Sequence, residues 1–160
     1  MTKMKLFVDL DGVLVDFDRG VFQATGHYPA EISDQQMWPV LARTPGFYDR
    51  LAWMSDGKEL WEFARRFSPT ILTGLPRGQW AEPQKRSWCL RELGPDVPVL
   101  TCMSREKGRA ASMVLAPEET PVLVDDRLNA QSGWLDIGGI FVLHVSAEDS
   151  LRQLKELGFE

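Results

Sequence analysis

Five short apolar runs punctuate this chain, each divided from the next by a stretch with helical character: "KLFVD" near 5–9, "PTILT" at 69–73, "VPVLT" at 97–101, "PVLVDD" at 121–126 and "IFVLH" at 140–144. Strands that alternate with helices build βαβ units, and βαβ units build a parallel sheet covered on both faces. The intervening stretches supply the covers. "SDGKELWEFARRF" predicts a helix with Ser55 as its N-cap and Leu60, Phe63, Ala64 and Phe67 at helical spacing. "EPQKRSWCLRELG" places Pro83 near a first helical position and Gly94 just past the last, and "SAEDSLRQLKELG" runs from a Ser146 or Ser150 cap to a stop at Gly158. Residues 18–54 differ: "TGHYPAEISDQQMWPVLARTPGFYDRLAW" mixes turn formers and aromatics with no single period, as expected of an insertion of short helices and loops.

The expected fold class is therefore α/β, with a three-layer α/β/α Rossmann-like core, a central parallel five-stranded sheet and a small helical cap inserted after the first strand. At 160 residues the chain has room for one domain and one site, spanning 1–160 with the cap at roughly 18–54. A net charge of −5 and the lack of a Lys/Arg run argue against a nucleic acid polymer as partner, since phosphate neutralisation needs a basic surface. No apolar stretch approaches the ~20 residues of a membrane span. Cys89 and Cys102, without a leader of signal type, point to a reducing cytoplasm and to thiols that act as small apolar side chains. Trp53, Trp61, Trp88 and Trp134 read as packing residues, and His27 and His144 as hydrogen-bonded histidines rather than metal ligands.

The polar residues acquire meaning on this skeleton. Asp9 follows Leu6, Phe7 and Val8, Thr73 ends the second run, and Asp125 and Asp126 end the fourth, so three strands deliver polar groups to one edge. In open parallel sheets ligands bind outside the carboxyl ends of the strands. Burying Asp9 and Asp11 two positions apart is costly without a cation, and adding Asp125 and Asp126 makes a set of hard oxygen donors of the type that Mg²⁺ accepts. Taken singly, each has an ordinary structural reading: a "DxD" can be a loop pair, Thr73 can cap a turn, and Asp125 can pair with Arg127 on a surface.

"DLDGV", the strand-end Thr73, a downstream lysine and "LVDDR" resemble, in order, the four motifs of the haloacid dehalogenase-like superfamily of phosphotransferases. Within it, "DLDGVLVDF", "KRSW" followed by "LGPD", "SREK" and "LVDDR" are similar to the 5′(3′)-deoxyribonucleotidases. The resemblance implies a Mg²⁺-dependent phosphomonoester hydrolase. Asp9 would be the nucleophile that forms an aspartyl-phosphate, and Asp11 the acid and base that serves the leaving alkoxide and then the water. Mg²⁺ would be held by Asp9, the main-chain carbonyl of Asp11 and Asp126, with Asp125 in support. Thr73 would contact the phosphoryl oxygens, and a lysine would neutralise their charge.

Two lysines compete for that last role. Lys107 in "SREKGRAAS" resembles the third motif, although it precedes Asp125 by 18 positions, a long interval for the nucleotidase branch. Lys85 in "QKRSW" resembles a second phosphate contact there, or is a solvated helix lysine. The implied partner is a small phosphorylated substrate, a nucleoside monophosphate, and a homodimer stays open. Phe17 and the Trp38 of "MW" resemble a base pocket, where an aromatic stack contributes ~1–3 kcal/mol per base, or else they join the cap to the core. Gly74 belongs to the same candidate substrate site but departs from that branch, which offers a hydroxyl there.

Other classes fare worse. A signalling receiver domain has its acidic pair first and its lone aspartate in mid-chain, the reverse of the order here. A P-loop NTPase needs a Gly-Lys-Ser/Thr run that is missing. A haloalkanoate dehalogenase needs no acid at position 11. The remaining alternatives are a phosphatase of another small phosphomonoester and a nucleotide- or phosphate-binding member without activity.

Overall fold

The computed structural model describes residues 3–160. Five strands, β1 (Lys3–Val8), β2 (Thr70–Gly74), β3 (Val99–Cys102), β4 (Glu119–Asp125) and β5 (Ile140–Leu143), form one sheet in the order β3-β2-β1-β4-β5, and every pairing is parallel. The apolar runs thus become strands as expected. β1 begins two residues earlier than the run suggests, because Lys3 pairs with Glu119 at the start of a six-residue register that ends with Val8 opposite Val124.

The alternation of side chains along each strand divides the interior in two. Leu6, Val8, Ile71, Val122 and Val124 point to the larger core, whereas Phe7, Leu72 and Leu123 point to the other face. Helices α3 (Gly57–Ala64), α4 (Ala81–Leu93) and α7 (Ala147–Leu157) bury Leu60, Trp88 and Leu154 against the first face. On the second, α5 (Lys107–Ser112) and α6 (Gln131–Asp136) bury Ala111 and Trp134, with the Trp134 ring edge-on to Phe7 at 5.3 Å. The result is three layers. Trp61, Trp88 and Trp134 are buried and Trp53 partly so; Cys89 and Cys102 are free thiols, and burial pushes the Cys89 thiol up to about 12.

Helix ends follow local chemistry with one exchange. Ser146, not Ser150, caps α7 by accepting from the Asp149 N–H, while Ser150 is buried with its hydroxyl 2.6 Å from His144 Nδ1. Gly94 and Gly158 close α4 and α7 at positive φ, a region that costs glycine little. At α3 the residue before the helix is Asp56 and not the expected Ser55; its carboxylate reaches instead to the Ala147 N–H at the start of α7, 2.7 Å away. One acidic side chain thereby ties two covering helices together.

The stretch after β1 forms α1 (Phe17–Thr25) and α2 (Asp34–Arg43), followed by turns to residue 54. Asp16 caps α1 and Ser33 caps α2. The two ends of the stretch are bonded to each other: the Asp16 N–H donates to the Ala52 carbonyl at 2.8 Å, the Met54 N–H donates to the Leu14 carbonyl at 2.7 Å, and Val15 bridges to Trp53. Among the described residues no helix is long and apolar enough to cross a membrane.

Candidate functional site

The strand order reverses between β1, which is followed by β2 and β3 on one side, and β4, which lies on the other. Such a switch point opens a crevice at the carboxyl ends of the strands. A cavity of about 550 Å³ lies here, within the range of small-molecule sites. Asp9, Asp11, Lys107, Asp125 and Asp126 line its floor, and Phe17, Met37, Trp38 and Tyr48 from the stretch after β1 contribute to its wall.

The first acidic pair owes its setting to a tight turn. The N–H groups of Val13, Leu14 and Val15 all converge on the Leu10 carbonyl, and Gly12 turns the chain at φ +81°. A Cβ at Gly12 would overlap the Asp126 carboxylate, so glycine is required both by the turn and by the acid packed against it. Asp9 thus points toward Asp125 and Asp126, whereas Asp11 points elsewhere. The carboxylate oxygens of Asp9, Asp125 and Asp126 lie within 4.8 Å of one another, a set that the Asp11 side chain does not join.

Lys107, the first residue of α5, neutralises part of this cluster. Its Nζ donates to Asp9 Oδ1 at 2.9 Å and to Asp125 Oδ2 at 2.8 Å, and all three side chains are nearly inaccessible. Burial pulls the ammonium down, but the Asp9 and Asp125 carboxylates outweigh it and hold Lys107 above its ordinary value. Asp9 is pushed well up by burial; Lys107 opposes that shift, and Asp125, Asp11 and Asp126 add to it. Asp126 is pushed up to about 6, first by burial and then by Asp125, against the pull of Arg127. Asp125 is not a surface partner of the Arg127 side chain: it is buried, and its Oδ1 accepts from the Arg127 backbone N–H.

The second acid is held by the second lysine. Lys85 Nζ donates to Asp11 Oδ2 at 2.9 Å, to Thr73 Oγ1 at 2.8 Å and to the Gly74 carbonyl at 2.7 Å. An ammonium has three N–H donors, and Lys85 uses all three on protein acceptors. Lys85 and Thr73 are buried behind the cavity wall and do not line it. Neither the second phosphate contact nor the solvated helix lysine describes Lys85 as it stands. Lys107 makes two such bonds and keeps a third N–H.

The remaining residues expected at the site fall into two groups. Trp38 and Phe17 both line the cavity with ring centroids 6.0 Å apart, but Phe17 also packs on Phe47 and Tyr48 and is largely buried. Gly74 lines the cavity, and Ser104, three residues before Lys107, fills the space its Cβ would take: a Cβ there would overlap the Ser104 hydroxyl. Tyr48, Ser104 and Arg127 are wall residues that sequence reasoning does not select. Ser104 and Arg127 stand inside the quoted "SREK" and "LVDDR" strings, whereas Tyr48 lies in the aperiodic stretch and carries no local signal.

The cluster fits a hard divalent cation. Its donors are all carboxylate oxygens, and Asp126 Oδ1 is buried without any hydrogen-bond partner, a costly state that a cation would relieve.

No family model matches the sequence, and no curated protein matches it. Solved structures do match the fold. L-2-haloacid dehalogenase from Xanthobacter autotrophicus with covalently bound chloropropionic acid aligns over 100% of this chain and 85% of its own, at 12% identity and a TM-score of 0.55. A predicted phosphatase from Clostridium acetobutylicum aligns over 98% of this chain and 96% of its own, at 8% identity and a TM-score of 0.53. At these identities the likeness is one of architecture: the chain has the α/β fold of haloacid dehalogenase.

Proposed function

We propose that this chain is a Mg²⁺-dependent phosphomonoester hydrolase that acts through an aspartyl-phosphate on Asp9, with a nucleoside monophosphate, of the 5′(3′)-deoxyribonucleotidase kind, as its substrate. A single observation supports the phosphatase over the dehalogenase that shares the fold: a second carboxylate, Asp11, faces the same cavity and is held by its own lysine. An alkoxide leaving group needs a proton donor and a halide does not.

In this reading Asp9, the main-chain carbonyl of Asp11 and Asp126 hold the Mg²⁺, and Asp125 supports them. When bound, the ion supplies positive charge that offsets the repulsion between phosphate and carboxylate. Lys107 engages Asp9 Oδ1, which leaves Oδ2 to attack phosphorus. The free N–H of Lys107 takes up charge on the phosphoryl oxygens as it develops. Lys85 fixes Asp11 through Oδ2, which leaves Oδ1, once it has taken up a proton from solvent, to pass that proton to the departing alkoxide and later to take one from the water that hydrolyses the acyl-phosphate. Thr73, buried beneath the wall, helps to hold Lys85 in place.

Cavity size and the partly exposed Trp38 ring support a substrate with a flat group beyond the phosphate, and Phe17, which lines the same wall but is mostly buried against Phe47 and Tyr48, holds that wall to the core. The site suits a small phosphoester in solution rather than a polymer. The test is phosphate release with Mg²⁺ from deoxy- and ribonucleoside 5′- and 3′-monophosphates, sugar phosphates and an aryl phosphate, with EDTA controls. Preference for one nucleotide class supports the reading; turnover of the aryl ester alone leaves a phosphatase of another small substrate. No metal-dependent turnover of any of them overturns it in favour of a binding protein.

A further inference from the structure

Lys85 is the most deeply buried cation in the site, with its side chain 2% exposed, yet only one carboxylate, Asp11, contacts it. A buried ammonium needs more than one partly buried carboxylate to offset its lost hydration. Two neutral oxygens make up part of the difference. The rest comes from an unexpected direction. The Tyr48 ring lies over Lys85 with Nζ 4.5 Å from the centroid, inside the reach of a cation–π attraction. Tyr48 is itself buried and stacks on Phe17 and on Trp80, with ring centroids 6.1 and 5.4 Å away, so it cannot swing away without giving up both contacts. Burial pushes its phenol far above the ordinary value, so the ring is neutral and acts through its π face. Its backbone is pinned as well, because the Tyr48 N–H donates to Gln84 Oε1, beside Lys85 on α4.

We infer that Tyr48 is a positioning residue: its aromatic face roofs Lys85, directs the three N–H groups onto Asp11, Thr73 and the Gly74 carbonyl, and so sets the orientation of the acid from within the stretch that also walls the substrate cavity. This inference rests on the role proposed for Asp11. The chemical demand is for a π-electron face at position 48, and the hydroxyl is dispensable.

The test replaces Tyr48 by Phe and then by mono-, di- and trifluorinated phenylalanines, which keep size and shape while draining the ring face of negative potential. Turnover of an alkyl phosphomonoester with Mg²⁺, whose alkoxide leaving group needs the proton of Asp11, is followed in the native chain and in a Lys85→Met chain. The expected result is a stepwise fall in kcat across the series, from roughly 2-fold up to the loss of about 10-fold that removing Lys85 itself brings, with little change in KM, and a flat series once Lys85 is gone. A flat kcat in the native chain, a rise in KM alone, or the same slope in Lys85→Met overturns the inference. If the native chain hydrolyses no phosphomonoester, the functional reading fails separately, and the roof is read from the NMR shifts of the Lys85 ε-methylene protons. An upfield ring-current shift that Tyr48→Leu abolishes upholds the roof; its absence overturns it.

Discussion

Lys107 and Lys85 are both buried, both donate to a catalytic-candidate aspartate at 2.9 Å, and yet they are built for different work. Lys107 sits between two carboxylates and keeps one N–H free beside the cavity; Lys85 meets one carboxylate, two neutral oxygens and a ring, and keeps none. Saturation, not charge, separates them. A lysine with a spare donor can follow charge that moves onto a substrate, whereas a lysine with none can only hold what it already touches.

Asp9→Asn is the harshest test of the Lys107 side: removing the attacking oxygen's charge is expected to lower kcat by roughly 10⁴-fold, measured as Mg²⁺-dependent phosphate release. Asp11→Asn, on the Lys85 side, keeps the nucleophile and loses the proton donor, for a fall of roughly 10²- to 10⁴-fold that shrinks for aryl esters with good leaving groups. Equal losses for all leaving groups would erase the distinction between the two acids.

Next comes the lysine pair itself. Lys107→Met is expected to lower kcat by roughly 10²- to 10³-fold, and Lys85→Met by a smaller factor, about 10-fold, because only Lys107 faces the transferred group. Lys107→Met also strands two buried carboxylates, so its denaturation midpoint falls further than that of Lys85→Met. Identical losses in both readouts would break the comparison.

The acidic cluster supplies a pH test. With metal chelated, Asp9 is pushed up and Asp126 is pushed up to about 6, so each holds its proton more tightly in the folded chain than in the unfolded one. A carboxyl raised on folding costs stability above its folded pKa and stops costing it as pH falls toward the unfolded value near 4. In EDTA, therefore, these two groups raise the melting temperature as pH falls, with the Asp126 part of the rise between about pH 6 and about pH 4, and Asp126→Asn flattens that part. Saturating Mg²⁺ near neutral pH removes the same penalty, and its affinity weakens as protons compete below about pH 6.

The smallest expected effect belongs to Gly74→Ser, which forces the Ser104 hydroxyl aside at a cost of about 1–3 kcal/mol. Thermal melts read the cost, and restoring stability with Ser104→Gly in the same chain would show that the two positions share one space.

Much of this arrangement is legible along the chain because it depends on short-range patterns. The five apolar runs announce the strands, and Asp9, Asp125 and Asp126 fall at strand ends by position alone. Lys107 is readable as well, for it opens a helix immediately after β3, and the long interval to Asp125 is absorbed by α5 and the turns that follow. What Lys85 does is invisible there. Its three acceptors come from the turn after β1 and from β2, its roof comes from Tyr48, and only tertiary packing brings them to one nitrogen. Ser55 and Asp56 show the same limit at smaller scale: cap preference nominates the serine, while a contact with Ala147, far along the chain, selects the aspartate's orientation. Phe17 looks like a pocket residue in sequence and proves to be shared between pocket and core.

The bonds that join Asp16 to Ala52 and Leu14 to Met54 make the stretch between them a handle clasped at its base. A clasped handle can be lengthened at little thermodynamic expense, since doubling a loop adds only about 0.6 kcal/mol of closure entropy once its ends are held. Substrate range can therefore drift by insertion and deletion within residues 17–51 while the sheet and its acids stay where they are. Tyr48 sets the one condition on such grafts: a replacement handle must bring its own aromatic face back to the lysine beneath it.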